Sequence, residues 1–105
     1  MTSENQEKIQ EMHVLEHSLQ NLFLQKQSFQ MELNETQNAL KEASESNEDL
    51  FKIVGQLMIK TSKTKILDDL GSKEKLIEAR LKSFENQEKS LIDQLEALRK
   101  ELNGY

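Results

Sequence analysis

Along the first part of the chain, apolar residues recur in alternating steps of three and four: Met12, Leu15, Leu19, Leu22, Phe29, Leu33, Leu40 and Ala43. Only Lys26 and Thr36 interrupt the series. This spacing lines one seam of an α-helix at 3.5 residues per turn, the coiled-coil pattern, and fits no strand. It predicts a helix over about 4–46. Ser3, with Gln6 three residues on, marks the start, because the hydroxyl can accept from an orphan amide while the glutamine reaches back. The polar run Ser44-Glu45-Ser46-Asn47-Glu48-Asp49 marks the end. A second stripe follows Leu67, Leu70, Ile77, Leu81, Phe84, Leu91, Leu95, Leu98 and Leu102, with Glu74 and Glu88 as its polar breaks. It predicts a helix over about 63–103, stopped by Asn103-Gly104, residues tolerant of left-handed geometry. Helices of about 40 residues would each run roughly 60 Å.

Between the stripes the segment Leu50-Phe51-Lys52-Ile53-Val54-Gly55-Gln56-Leu57-Met58-Ile59-Lys60-Thr61 gathers β-branched and aromatic residues on both sides of one glycine. We read it as a β-hairpin over about 50–61. Gly55-Gln56 suits a two-residue turn whose first central position needs positive φ. A continuing helix is the alternative, since Asn47, Leu50, Val54 and Leu57 extend the first stripe. Two features oppose it. The first frame carries on to Thr61, Thr64 and Asp68, out of step with Leu67 and Leu70. A glycine among β-branched residues also costs a helix about 1 kcal/mol or more.

The simplest arrangement folds the second helix back along the first. Leu40 then faces Leu70, Met12 faces Leu98, Phe29 meets Leu81, and Lys26 lies near Phe84 within one turn of Glu88. A polar residue at a seam position sets alignment at some cost in stability. The fold class is thus mostly α, a long antiparallel coiled-coil hairpin with a short β-hairpin at the connection. Two isolated strands are marginal in water and leave unpaired amide and carbonyl edges. Here both faces carry large apolar groups. The expectation is an obligate oligomer assembled through Leu50, Phe51, Ile53, Val54, Gly55, Leu57, Met58 and Ile59, one face packing on a core while edge pairing recruits hairpins of other subunits.

Composition narrows the function. The chain has 105 residues, 35% of them hydrophobic and 31% charged, with no cysteine, proline or tryptophan. So short and polar a chain suits one domain with a thin core rather than a deep catalytic cleft. The absence of cysteine excludes disulfides and thiolate zinc sites and suits a reducing compartment, the cytoplasm by default. Lys plus Arg number 14 against 19 Asp plus Glu, a net charge of -5, the wrong sign for holding nucleic acid phosphates. No run approaches the roughly 20 apolar residues that span a bilayer, and the first residues lack the features of a signal peptide. The mature protein is expected to begin near Met1, with neither a membrane nor a nucleic acid partner.

The hairpin segment Leu50-Phe51-Lys52-Ile53-Val54-Gly55-Gln56-Leu57-Met58-Ile59-Lys60 resembles that of the β-class subunits of prefoldin, the archaeal versions above all. Leu19-Gln20-Asn21-Leu22-Phe23-Leu24-Gln25-Lys26-Gln27 and Arg80-Leu81-Lys82-Ser83-Phe84-Glu85-Asn86-Gln87-Glu88 resemble the flanking helices. Each helical run is weak evidence; the hairpin between two equal helices makes the set specific. The resemblance implies a heterohexamer of two α-class and four β-class subunits, with barrels built from the hairpins and coiled coils hanging as tentacles. It implies an ATP-independent holdase that passes unfolded proteins to a group II chaperonin, without cofactors. His13, His17, Gly71 and the end soon after Leu102 depart from the family pattern.

A client-holding role at the far tip also has physical sense. Both chain ends meet there, near Ile9, Met12, Leu98 and Leu102, where helices fray most easily. Several weak tips acting together would hold a nonnative chain through effective concentration, and a flexible thioether such as Met12 adapts to varied partners. The same four residues could instead simply finish the seam. Apolar residues off the seam, Val14, Phe23, Leu24, Met31, Ile66, Leu76 and Ile92, either face the cavity between the tips or broaden the stripe, and broadening is the preferred reading. His13-Val14-Leu15-Glu16-His17 matches the H-x-x-E-H zinc-protease pattern, but Met12 and Leu15 occupy the seam and turn both histidines outward. No third ligand or cleft accompanies them, so a catalytic metal is not expected, and only adventitious binding is left open. Nucleotide-binding glycine loops and nucleophilic cysteines are lacking, and the chain is not read as an enzyme. Charge runs such as Asp68-Asp69 and Lys73-Glu74-Lys75 read as solvated faces. Besides the chaperone subunit, the pattern admits a structural adaptor, one continuous helix dimerising in parallel.

Overall fold

A computed structural model describes residues 3–103. The chain forms α1 (Ser3–Glu45), β1 (Leu50–Val54), β2 (Leu57–Thr61) and α2 (Lys63–Leu102). Two long helices flank a short antiparallel hairpin, as the fold class required. The continuous helix of the adaptor reading does not form. Residues 50–61 carry helical spacing by coincidence, and the turn decides the local structure: Gly55 sits at φ 62, in the left-handed region that an L-residue enters only at a cost. Strand pairing runs from Leu50 opposite Thr61 to Val54 opposite Leu57, which leaves Gly55-Gln56 as the two-residue turn.

The helix ends differ in detail from expectation. Ser3, read as a cap, is itself the first residue of α1. Ser62 is a cap that the pattern did not reveal: its Oγ accepts from the Lys65 amide at 3.1 Å, satisfying an orphan donor of α2. Arg99 and Lys100 occupy the last turn of α2, where cations complement the helix dipole. Asn103 donates its amide to the Arg99 carbonyl at 3.0 Å. Gly104, expected to stop that helix, lies outside the described residues.

Contacts divide the chain into two compact units, one holding α1 up to Ser28 with α2 from Leu81 onward, the other Phe29–Arg80. In the first, Leu22, Leu81, Phe84 and Leu95 are buried, and Met12, Leu15, Leu19, Leu91, Leu98 and Leu102 are half-buried. Complete burial of a side chain of this kind contributes about 1.5–3 kcal/mol, and the half-buried ones contribute less. Ion pairs Lys26 to Glu88 at 2.8 Å and Lys8 to Glu101 at 3.3 Å show α1 and α2 running antiparallel here. The expected proximity of Lys26 and Glu88 is therefore met.

In the second unit the core is Leu33, Ala43 and Ile77, flanked by half-buried Phe29, Leu40, Leu67 and Leu70. Glu32 pairs with Lys73 at 3.5 Å, and the Arg80 guanidinium lies 5.9 Å from the centre of the Phe29 ring. Thr36, a polar break in the seam, is buried with 3% exposure. Its hydroxyl donates to the Glu32 carbonyl at 2.8 Å, so the buried group is satisfied within its own helix.

Of the two readings of the apolar residues off the seam, the preferred one, broadening of the stripe, does not hold. Val14, Phe23, Leu24, Met31, Leu76 and Ile92 are exposed, and only Ile66 is half-buried. In a helix whose seam is already filled at every third and fourth residue, most of these positions point away from it.

Candidate functional site

Among the described residues, half of the exposed large apolar side chains cluster in the hairpin. Directly opposed residues share a sheet face, so the register groups Phe51, Ile53, Met58 and Lys60 on one face. Lys52, Val54, Leu57 and Ile59 lie on the other, with Leu50 and Thr61. Phe51, Ile53, Val54, Leu57, Met58 and Ile59 are all exposed, Ile53 at 71% and Met58 at 69%; Leu50 alone is half-buried. The sheet has two strands, so each offers an outer edge for pairing. Apolar faces of this kind are stable in water only when covered.

The connection into the hairpin is tied down by polar contacts. Ser46 Oγ accepts from the Glu48 amide at 3.2 Å, and Lys63 Nζ donates to the Ser46 carbonyl at 3.2 Å. Lys60 Nζ stands 3.4 Å from Asp49. These contacts hold the base of the hairpin against the ends of α1 and α2 and leave its faces open.

Ile9, Met12, Leu98 and Leu102 all lie in the first unit, and all four are half-buried. Beside them Lys8 bridges Glu4 at 3.7 Å and Glu101 at 3.3 Å. These residues finish the seam as it stands, and presenting them to another chain requires the end to loosen. Further along the same unit, the hydrogen bond to Glu88 raises the Lys26 pKa above its ordinary 10.5; partial burial opposes this, and the charges of Glu88 and Glu85 add to it. The pair is a seam device, with Lys26 one-third exposed.

His13 and His17 are exposed on α1. Among the described residues no group of three or more histidines and carboxylates converges to hold a metal ion. No helix among them is long and apolar enough to cross a membrane. Sequence reasoning passed over Lys52 and the Asp49–Lys60 pair. The signal was present: the strands contain two lysines and no carboxylate.

Three comparisons bear on this architecture. The family model described as Prefoldin subunit matches residues 6–105. The chain is 34% identical over 102 residues to a prefoldin subunit beta of Saccharolobus islandicus, covering 95% of this chain and 81% of that protein. With the prefoldin subunit beta of Thermococcus onnurineus it shares 40% identity over 85 residues, 79% of this chain and 73% of that one. Its fold superposes on the crystal structure of the prefoldin beta subunit from Thermococcus strain KS-1 with a TM-score of 0.93 and 31% identity. That match covers 98% of this chain and 92% of the other. Two paired helices, an open apolar hairpin and these likenesses together show that the chain belongs to the prefoldin subunit family of chaperones, on its β side.

Proposed function

We propose that the chain is a single prefoldin-like domain acting as a β-class subunit of a heterohexamer, with two α-class and four β-class subunits. Family membership supports a chaperone role and assembly with other prefoldin subunits. In this reading Leu50, Phe51, Ile53, Val54, Gly55, Leu57, Met58 and Ile59 join hairpins from other subunits in β-barrels. Ile9, Met12, Leu98 and Leu102 loosen at the coiled-coil end to hold unfolded proteins without ATP. The clients pass to a group II chaperonin in the cytoplasm.

The observation that carries the proposal is the hairpin, a two-stranded sheet with apolar residues exposed on both faces. Edge pairing supplies the missing backbone hydrogen bonds and covers the faces in one step. The test is absolute mass by light scattering after size exclusion, alone and mixed with an α-class prefoldin subunit. Six chains near 12.2 kDa give a species of about 73 kDa, expected only on mixing. Ile53→Asp, which places a charge on an assembly face, should leave the helices intact and lose that species. A mass unaffected by the partner would overturn the proposal.

A further inference from the structure

The hairpin carries a charge pattern that its apolar surface does not explain. From Leu50 to Thr61 it holds Lys52 and Lys60 and no carboxylate, although the chain as a whole is acidic at -5. The two lysines differ. Lys60 lies near the base of the hairpin and is neutralised by Asp49 of its own chain at 3.4 Å. Lys52 lies in the middle of β1, opposite Ile59, on the face that also bears Val54 and Leu57. Among the described residues no carboxylate reaches ion-pair distance of it.

An unpaired ammonium at the centre of an apolar face becomes costly once the face is covered, because desolvating the charge must be offset by a counter-charge. A second copy of this hairpin has none to offer. It would bring lysine toward lysine, or set Lys52 against Val54, Leu57 or Ile59. The carboxylates of its own chain nearest in sequence, Glu48 and Asp49, lie outside the strands, and Asp49 is already paired with Lys60. We propose that Lys52 selects the neighbour. The face formed by Lys52, Val54, Leu57 and Ile59 is covered by the hairpin of a second, non-identical subunit, which presents an aspartate or glutamate to the Lys52 ammonium. This rests on the hairpin-assembly reading above and adds to it the chemistry of the partner. The same charge disfavours pairing between identical hairpins, since like charges facing across an interface oppose association.

The experiment uses the full chain and an α-class prefoldin subunit, titrated at about 50 mM and about 500 mM sodium chloride to vary screening. Wild type, Lys52→Met, Lys52→Glu and Ile53→Asp are compared, with helical content checked by circular dichroism. At the lower salt Lys52→Glu should bind the partner roughly tenfold or more weakly than Lys52→Met, and the gap should narrow at the higher salt. Equal binding by the two Lys52 variants at both salts, while Ile53→Asp abolishes assembly, would overturn the role of Lys52 and leave hairpin assembly standing. Binding unaffected even by Ile53→Asp would overturn both.

Discussion

Glycine-to-alanine exchange at positions 55 and 71 should have opposite signs, and the structure isolates the reason. At both positions an added Cβ meets nothing within 4 Å, so neither clash nor new packing contributes. The backbone alone decides. Gly55 has φ 62, where an L-residue costs about 1–2 kcal/mol. The reduced entropy of the unfolded chain returns about 0.4–1 kcal/mol of that, leaving Gly55→Ala destabilising by about 1 kcal/mol. Gly71 sits inside α2, where alanine is favoured over glycine by about 0.8–1.0 kcal/mol. Gly71→Ala should therefore stabilise by about 1 kcal/mol.

The two effects need different readouts because the hairpin packs little of its own surface. Thermal unfolding followed by circular dichroism should place Gly71→Ala roughly 4–8 °C above wild type if the chain unfolds as one small domain. Amide hydrogen exchange in β1 and β2 should be roughly fivefold faster in Gly55→Ala. Gly55→Asn should lie between alanine and glycine, since asparagine tolerates left-handed geometry. A destabilised Gly71→Ala, or hairpin exchange unchanged in Gly55→Ala, would refute the reasoning.

Phe84, 7% exposed in the seam of the first unit, should cost about 3–5 kcal/mol as Phe84→Ala in urea unfolding. Exposed Val14→Ala should stay within about 0.5 kcal/mol. The raised pKa of Lys26 means that its stabilising contribution is complete below the ordinary 10.5 and is lost as pH rises through the higher folded value. The stability difference between wild type and Lys26→Met should therefore be flat through neutral pH and shrink as the solution becomes strongly alkaline; a change near neutrality would contradict the pairing. On the proposed function, Leu98→Ser combined with Leu102→Ser should weaken suppression of client aggregation while the proposed hexamer still forms, and undiminished suppression would remove the tip residues from client holding.

The helices were legible because a seam repeats: misassigning one residue leaves the frame intact, and Leu22, Leu33, Leu81 and Leu95 are buried where the stripe put them. The hairpin was legible through its glycine, since Gly55 breaks helical propensity and supplies the φ that the turn needs. Exposure of the off-seam residues was not legible. Phe23 and Leu24 look like core by composition, and only the filled seam in three dimensions shows that no room is left for them. The Ser62 cap was hidden for another reason. It is followed three residues later by Lys65 rather than by glutamate or glutamine, so the reciprocal capping signature is absent although the hydroxyl caps the helix.

Polar residues in the seam did more to specify the alignment than the leucines, because leucines are interchangeable under a slip of seven residues and charges are not. Moving α2 by one heptad against α1 would replace Glu88 by Leu81 or Leu95 opposite Lys26, and leave Glu88 against Leu19 or Leu33. The apolar count along the seam would hardly change. Two partly desolvated charges would lose the 2.8 Å contact that now satisfies them, and a charge stranded in a seam is penalised more than the pair is rewarded. Lys26 and Glu88 therefore act chiefly by excluding wrong registers. The proposed hairpin assembly follows the same logic on a different surface: the apolar residues would supply the attraction, and Lys52 would restrict which neighbour uses it.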